Sequence, residues 1–193
     1  QDASSQKIAY FLDVKEGQRV VDACAGAGGK TLHIAALMGN KGQIIALDLY
    51  EWKLAELKRR AKRAGAHNIE TRVISDNKVI KRLHDKADRL LIDAPCSGLG
   101  VLKRNPDSKW KIDQEFIDRI KKEQQQIIQD YAKIIKVGGK MVYATCSILP
   151  SENNEQIAEF LKNNQNYKLL KEEKVMPSEG YDGFYMALIE RTA

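Results

Sequence analysis

The chain has 193 residues, of which 43% are hydrophobic and 30% are charged. These proportions are typical of one globular domain with a full-sized core, and they exclude a disordered chain. The net charge of +6 favours a polyanionic partner, although many proteins with such a charge bind no nucleic acid. Since no apolar run reaches the length of a membrane span and no signal-peptide pattern opens the chain, we expect a cytoplasmic protein without membrane contact.

Predicted strands and helices alternate along the chain. The predicted strands are Arg19 to Ala23, Gln43 to Leu47, Ile69 to Ser75, Arg89 to Ile92, Met141 to Ala144, Tyr167 to Val175 and Gly183 to Glu190. The predicted helices are Ser4 to Leu12, Lys30 to Met38, Glu51 to Ala64, Asp113 to Ile135 and Ser151 to Asn163. This alternation predicts an α/β fold with a mostly parallel seven-stranded sheet, helices on both faces and a C-terminal antiparallel hairpin.

A loop of small residues, Cys24-Ala25-Gly26-Ala27-Gly28-Gly29-Lys30-Thr31, connects the first predicted strand to a helix. Its Gly-Lys-Thr ending occurs in nucleotide P-loops, but Cys24 occupies the place of their first glycine, which disfavours phosphate binding. A cofactor that contains a nucleoside is the alternative. Asp48 ends the second strand about 20 residues later and suits ribose hydroxyls, and Asp76 could reach an adenine. The glycines could also simply form a tight turn, but their order with the two aspartates favours a cofactor.

Two cysteines follow predicted buried strands. Cys96 lies in Asp93-Ala94-Pro95-Cys96-Ser97, and Cys146 lies in Tyr143-Ala144-Thr145-Cys146-Ser147. The carboxyl ends of parallel strands meet at one edge of a sheet, where ligands bind. Two thiols at that edge predict cysteine chemistry on a bound substrate, although a single cysteine is more often a small buried hydrophobe. We assign that passive role to Cys24.

The cysteines and histidines do not predict a metal site. The three cysteines are far apart and lack the spacing of a zinc site or of a disulfide framework, as expected for a reducing compartment. The three histidines are likewise far apart along the chain. We therefore expect no bound metal.

Four sequence blocks together resemble one enzyme family. They are Asp22-Ala23-Cys24-Ala25-Gly26-Ala27-Gly28-Gly29-Lys30-Thr31, Asp93-Ala94-Pro95-Cys96-Ser97-Gly98-Leu99-Gly100 with Arg104-Asn105-Pro106-Asp107 beyond it, Ala144-Thr145-Cys146-Ser147, and Asp182-Gly183-Phe184-Tyr185. In this order they resemble the S-adenosylmethionine-dependent RNA cytosine-5 methyltransferases of the Sun/NOL/NOP type, over nearly the whole chain. Where that family often has Ala-Pro, this chain has Gly26-Ala27, which keeps the residues small.

The resemblance implies a Rossmann-like class I methyltransferase domain over residues 1–193, with S-adenosylmethionine as cofactor. It also implies further RNA-binding parts upstream, which fits a chain that begins at Gln1 rather than Met. The residues it assigns to the cofactor are Cys24, Ala25, Gly26, Ala27, Gly28, Gly29, Lys30, Asp48, Asp76 and Asp93. We expect a monomer.

The resemblance also assigns catalytic roles. Carbon 5 of cytosine is too weak a nucleophile to take a methyl group unaided, and a thiolate that adds to carbon 6 activates it. The family pattern makes Cys146 this nucleophile and gives Cys96 a role in breaking down the adduct. The residues alone leave the opposite assignment open, because the Pro-Cys thiol attacks in related DNA methyltransferases. Asp93 and Lys30 are expected at nitrogen 3 of the base.

A basic loop, Leu102 to Lys111, is the candidate substrate contact. It carries Lys103 and Arg104 as predicted RNA ligands, together with Trp110, which could instead pack into the core. We expect ribosomal RNA as the substrate and transfer RNA as the alternative within the same enzyme class. A noncatalytic RNA-binding or ribosome-assembly factor that keeps the fold is the alternative outside that class.

Overall fold

The computed structural model describes residues 2–193 as a sheet surrounded by helices. The strands are β1 (Arg19–Asp22), β2 (Gln43–Asp48), β3 (Ile69–Val73), β4 (Ala87–Asp93), β5 (Ile135–Thr145), β6 (Tyr167–Val175) and β7 (Phe184–Arg191). The helices are α1 (Ala3–Phe11), α2 (Gly29–Leu37), α3 (Glu51–Arg63), α4 (Asn77–Lys81), α5 (Ser108–Lys111), α6 (Gln114–Tyr131) and α7 (Asn154–Asn163). Short 3₁₀ turns cover Ala132–Ile134, Pro150–Glu152 and Pro177–Glu179.

The sheet is mostly parallel, with strand order β3-β2-β1-β4-β5-β7-β6. The first five strands pair in parallel, whereas β7 runs antiparallel to both β5 and β6. Asp93 at the end of β4 lies opposite Ala144 near the end of β5. The segments that follow these two strands therefore leave the sheet at one edge. The predicted fold class, including the C-terminal antiparallel hairpin, is confirmed.

The core consists of layers on both faces of the sheet. Val21 lies in the layer that includes Ile128 of α6 and Phe160 of α7. Its neighbour Val20 faces the opposite layer, which includes Ile34 of α2. Burying each such side chain stabilises the fold by about 1.5–3 kcal/mol. Among the helices within residues 2–193, none combines the length and apolar character that a membrane span requires.

The prediction for β5 was wrong at its start. The predicted helix Asp113 to Ile135 ends at Tyr131 and continues as a 3₁₀ turn, and β5 begins at Ile135 instead of Met141. The first residues of β5 include an exposed lysine and two glycines, so they lack the apolar run that marks the rest of the strand. The pairing of β4 with β5 is also irregular between Ala87 and Arg89.

The start of α7 and two short helices, α4 and α5, were also missed. The predicted helix from Ser151 begins only at Asn154, because Asn153 has φ −116° and ψ −109°, outside the helical region. Helices α4 and α5 have only 5 and 4 residues, too few to show a helical period in the sequence.

Gly28, at the start of α2, is expected to tolerate no side chain. Its φ is +83°, and a Cβ atom there would lie 2.4 Å from Leu57 Cγ. We expect Gly28→Ala to lower the free energy of unfolding by about 2–4 kcal/mol, through backbone strain and overpacking. Gly65→Ala is the matched control, because Gly65 has φ +66° but no heavy atom within 4 Å of the added Cβ. Gly65→Ala should lower the free energy of unfolding, measured in urea, by only about 1–2 kcal/mol. An equal decrease in the two variants would contradict the packing explanation.

Candidate active site

The structure brings the two predicted catalytic thiols together. Cys96 follows β4 and Cys146 follows β5, and their Sγ atoms lie 3.2 Å apart without a disulfide bond. This distance is within the range of a hydrogen bond between sulfur atoms. One thiol can therefore stabilise the other as a thiolate.

The surroundings differentiate the two thiols. The hydrogen bond from Cys96 lowers the pKa of Cys146 against the effect of burial and of Asp93, and the charge of Lys30 acts in the same direction as this bond. The same hydrogen bond, together with burial, raises the pKa of Cys96 well above its ordinary value. Ionisation is thus favoured at Cys146 and opposed at Cys96. A thiolate is the nucleophilic form of cysteine.

Lys30 and Asp93 form an ion pair beside the thiols. Lys30 Nζ donates a hydrogen bond to Asp93 Oδ2 at 2.7 Å. Burial acts to lower the pKa of Lys30, but the charge and the hydrogen bond of Asp93 outweigh it, so the pKa is raised. The ammonium group also lies 5.5 Å from the centre of the Phe184 ring. The lysine is therefore a fixed positive charge and proton donor.

All four predicted catalytic residues line one cavity of about 300 Å³. It is lined by Asp2, Ser4, Ser5, Lys30, Asp93, Ala94, Pro95, Cys96, Val101, Cys146, Asp182 and Phe184. Its walls combine two thiols, an ion pair and an aromatic ring. These groups suit a flat polar ring that must be held for attack by sulfur.

A second cavity, of about 270 Å³, shares Asp93 and Pro95 with the first. Its other lining residues are Ala23, Cys24, Gly26, Asp48, Leu49, Tyr50, Lys53, Ile74, Glu123, Ile127 and Tyr131. It therefore lies between the loop after β1 and the ends of β2, β3 and β4. In a sheet of this type, this is where a nucleoside-containing cofactor binds.

The residues of the second cavity fit S-adenosylmethionine. Asp48 is held by backbone N–H groups, because its Oδ2 accepts from Gly26 N and its Oδ1 from Tyr50 N, both at 2.9 Å. Each carboxylate oxygen keeps a lone pair for a ribose hydroxyl. Apolar side chains of Leu49 and Ile74 offer surfaces for an adenine ring.

Several other predicted cofactor residues have local structural roles. The carbonyl oxygen of Ala27 accepts a hydrogen bond from Arg60 at 2.8 Å. Burial raises the pKa of Cys24 well above its ordinary value, which keeps that thiol neutral. Asp76 is exposed and caps α4, accepting from Lys78 N at 2.7 Å, and it is not among the residues that line the second cavity.

The predicted RNA loop lies at the surface. Trp110 is 81% exposed, so the alternative that it packs into the core is wrong. Lys109 Nζ lies 4.9 Å from its ring centre, and Lys103 is exposed. Arg104 is engaged within the protein, in ion pairs with Asp2 at 2.8 Å and Asp182 at 2.7 Å.

Two buried carboxyl groups near the site were not predicted from the sequence. Asp22 accepts a hydrogen bond from Thr31 Oγ1 at 2.7 Å, and within residues 2–193 its Oδ1 has no hydrogen-bond partner. Glu152 lies beneath both cysteine segments and is fully buried. The one sequence signal for Asp22 was its position at the start of the first sequence block. Within residues 2–193, no three acidic, histidine or cysteine side chains are grouped as metal ligands.

Asp22 should make stability depend on pH. Burial raises its pKa to about 6 from 3.8, against the hydrogen bond from Thr31. The native state then keeps this proton up to about pH 6, whereas the unfolded chain loses it near pH 4, so stability falls as pH rises through this window. Asn cannot ionise. The free energy of unfolding of Asp22→Asn, relative to wild type, should therefore rise by about 3 kcal/mol between pH 4 and pH 7 in urea titrations.

The variant Asp88→Asn is a control of opposite sign. Burial acts to raise the pKa of Asp88, but the hydrogen bonds from Lys136 and from the backbone of Arg19, together with the charges of Lys136 and Arg89, outweigh it and the pKa is lowered. The stability of Asp88→Asn relative to wild type should therefore fall as pH rises. Parallel pH profiles for the two variants would contradict the assignment of the raised pKa to Asp22.

Comparison with known proteins identifies the family. Residues 9–190 match the family described as 16S rRNA methyltransferase RsmB/F. Ribosomal RNA small subunit methyltransferase B of Proteus mirabilis is 37% identical over 194 residues, which cover 99% of this chain and 45% of the relative. The crystal structure of PH0851 has a TM-score of 0.94 and 33% identity, over 98% of this chain and 46% of that one.

A further crystal structure, that of NSun6 from Pyrococcus horikoshii with SFG, has a TM-score of 0.89 and 30% identity, over 100% of this chain and 53% of that one. The chain thus spans about half the length of the relatives it matches. The fold is that of a class I methyltransferase, as the sequence blocks predicted. Because the family match extends from residue 9 to residue 190, this chain belongs to the 16S rRNA methyltransferase RsmB/F family.

Proposed function

We propose that this chain transfers a methyl group from S-adenosylmethionine to carbon 5 of cytidine in ribosomal RNA, through a covalent adduct with Cys146. The methyl donor is S-adenosylmethionine. The observation that carries the proposal is the thiol pair, 3.2 Å apart, in a cavity that adjoins the predicted cofactor cavity. Methyl transfer to oxygen or to an exocyclic nitrogen needs no thiol in contact with the base, whereas transfer to carbon 5 does.

Cys146 begins the reaction. Its thiolate forms a bond to carbon 6 of the cytosine, and the electrons of the double bond between carbons 5 and 6 move to carbon 5. When bound, S-adenosylmethionine would supply an electrophilic methyl group for carbon 5, with S-adenosylhomocysteine as the leaving group. A base then removes the proton from carbon 5, the double bond re-forms, and the bond between sulfur and carbon 6 breaks to release the thiolate.

Lys30 and Asp93 stabilise the charge that attack creates. Adding sulfur to carbon 6 places negative charge on the ring, including nitrogen 3. The ion pair lines the same cavity as both thiols, and its 2.7 Å hydrogen bond fixes one proton beside the ring. We assign Asp93 to nitrogen 3, where its carboxyl group can pass on the proton that the Lys30 ammonium donates along their hydrogen bond, leaving Lys30 neutral.

Cys96 assists the end of the reaction. In the free protein its proton stabilises the Cys146 thiolate across the 3.2 Å contact. When Cys146 is bonded to the base, its sulfur is no longer a thiolate that accepts this hydrogen bond. The Cys96 thiol is then free to act on the adduct. The same contact then favours expulsion of Cys146, because Cys96 again stabilises the departing thiolate.

The substrate base must reach the cavity outside a duplex. Sulfur attacks carbon 6 from the face of the ring, so the target cytidine has to be unpaired or flipped out. The exposed ring of Trp110 and the exposed Lys103 provide a stacking surface and a phosphate contact on the neighbouring loop. Arg104 forms ion pairs with Asp2 and Asp182 at the wall of the cavity, and its half-exposed guanidinium is the second proposed RNA contact of this loop.

The test is to identify the methylated nucleoside. The protein is incubated with S-adenosylmethionine and unmodified 16S ribosomal RNA, or with transfer RNA, and the digested RNA is analysed by mass spectrometry. We expect 5-methylcytidine from ribosomal RNA. A methyl group on nitrogen or ribose would overturn the proposed chemistry. 5-Methylcytidine from transfer RNA alone would overturn the substrate, and RNA binding without methylation would favour a noncatalytic factor.

A further inference from the structure

A fully buried carboxylate connects the two cysteine segments from below. Glu152 ends the 3₁₀ turn between β5 and α7, and its side chain is 0% exposed. It is not among the residues that line the catalytic cavity, so it cannot touch the substrate there. Its effect on the reaction must pass through its neighbours.

Those neighbours directly follow the two thiols. Glu152 Oε1 accepts from Ser97 Oγ at 2.5 Å and from Ser147 Oγ at 2.7 Å. Its Oε2 accepts from Ser97 N at 2.8 Å and from Gln124 Nε2 at 3.1 Å. Ser97 is the residue after Cys96, and Ser147 is the residue after Cys146. One carboxylate is therefore bonded to both segments that carry the thiols.

The position of Glu152 is itself fixed by β5 and α6. Tyr143 donates from its hydroxyl to the carbonyl oxygen of Glu152 at 2.9 Å. Gln124 Nε2 also donates to the carbonyl oxygen of Pro95, the residue before Cys96, at 2.9 Å. The carboxylate is thus bonded from a helix and both loops, and the backbone carbonyl of the same residue is bonded from a strand.

The next residue, Asn153, secures the Cys146 segment from both sides. Its Oδ1 accepts from Thr145 Oγ1 at 2.5 Å, and its Nδ2 donates to the carbonyl oxygen of Ser147 at 2.9 Å. Cys146 lies between these two contacts. The backbone of this thiol is therefore held more firmly than a loop usually is.

All four contacts to the Glu152 side chain use its oxygens as acceptors, which is the pattern that suits an ionised carboxylate. A buried charge is costly unless its hydrogen bonds are satisfied, so this network has little freedom to move. Small changes here should change the distance between the thiols.

We propose that Glu152 is a positioning residue that sets the separation and hydrogen bond of the two thiols. Its consequence for catalysis rests on the proposed function, but the thiol separation can be tested without RNA. Glu152→Gln is the informative variant, because it keeps the size of the side chain. In this variant an amide NH₂ group replaces one carboxylate oxygen. If it replaces Oε1, it faces the two serine hydroxyls, and if it replaces Oε2, it faces the N–H donors of Ser97 and Gln124. In either case the two hydrogen bonds at that position are disturbed.

The test measures the alkylation rate of each cysteine by iodoacetamide across pH, with peptide mass spectrometry and without RNA. The charged or titratable groups that act on Cys146 are Cys96, Asp93 and Lys30. We expect Glu152→Gln to slow alkylation of Cys146 at pH 7 by about tenfold, because displaced thiols weaken the hydrogen bond from Cys96 that lowers the pKa of Cys146. Turnover should fall while the KM for S-adenosylmethionine stays within about twofold, since Glu152 lies outside the cofactor cavity.

Two further variants keep the test decisive. Glu155→Gln, on the exposed side of α7, is the matched control and should match wild type in both measurements. If Glu152→Gln does not fold, Ser147→Ala removes one contact of the carboxylate, together with the hydroxyl's contacts to Ser97 Oγ and Leu149 N, without a change in charge. It should shift the alkylation profile of Cys146 in the same direction. Unchanged alkylation profiles in a folded Glu152→Gln or Ser147→Ala protein would overturn the positioning role.

The outcomes also separate this proposal from the proposed function. If the alkylation profile shifts but wild-type protein makes no 5-methylcytidine, the positioning of the thiols stands and the proposed function fails. If wild type makes 5-methylcytidine and Glu152→Gln changes neither alkylation nor turnover, only the positioning role fails.

Discussion

Replacing Cys146 with alanine is expected to lower the rate of RNA methylation by at least about 10³-fold, because it removes the thiol that we propose forms the bond to carbon 6. Cys146 lines the catalytic cavity but not the cofactor cavity, so binding of S-adenosylmethionine should be retained. Initial rates of methyl incorporation and calorimetric cofactor binding measure the two effects separately.

The reverse assignment gives a different result. If Cys96 were the nucleophile, Cys96→Ala would abolish methylation and Cys146→Ala would keep part of it. That outcome would contradict the direction of the pKa shifts, because the pKa of Cys146 is lowered and the pKa of Cys96 is raised.

Replacing Asp93 with asparagine is expected to have the second largest effect. It removes the carboxylate that pairs with Lys30 beside the base, which should lower turnover by about 10²–10⁴-fold. It also leaves Lys30, whose side chain is only 15% exposed, without its ion-pair partner. Because the carboxylate itself is 27% exposed, we expect the free energy of unfolding to fall by about 1–3 kcal/mol, less than for a fully buried pair.

Asp88→Asn is the matched control for Asp93→Asn. Asp88 lies on the same strand, at the opposite end, and pairs with Lys136 at 2.8 Å. This pair is more exposed and distant from the thiols, so its loss should cost about 1 kcal/mol or less and leave turnover near wild type. Urea unfolding and initial rates provide both comparisons. Equal turnover in the two variants would remove Asp93 from the mechanism.

The sequence predicted those parts of the fold that have strong local patterns. Strands such as β4 contain a continuous apolar run, here Leu90 to Ile92, and the rule that parallel strands end at one edge was enough to place Cys96 beside Cys146. The start of β5 was missed because Gly138 and Gly139 interrupt the apolar pattern there. Its first residues form a strand because they pair with β4, an effect that no local pattern records.

Residues that depend on distant partners could not be predicted. Glu152 is bonded to Ser97 and Gln124, which are remote in sequence, and Pro-Ser-Glu by itself indicates a helix start. The ion pair of Arg104 with Asp182 could not be predicted for the same reason, and the assignment of Arg104 to RNA stays a prediction. Asp76 caps α4, a helix too short to be predicted, and its assignment to the cofactor stays a prediction.

The most direct test of the covalent mechanism uses RNA that contains 5-fluorocytidine, whose carbon 5 carries no removable proton. The RNA is incubated with S-adenosylmethionine and wild-type, Cys146→Ala or Cys96→Ala protein, and adducts are scored on denaturing gels and mapped by mass spectrometry. We predict an adduct at Cys146 in wild type and Cys96→Ala, and none in Cys146→Ala. An adduct at Cys96, or no adduct in wild-type protein that binds both RNA and cofactor, would contradict the mechanism.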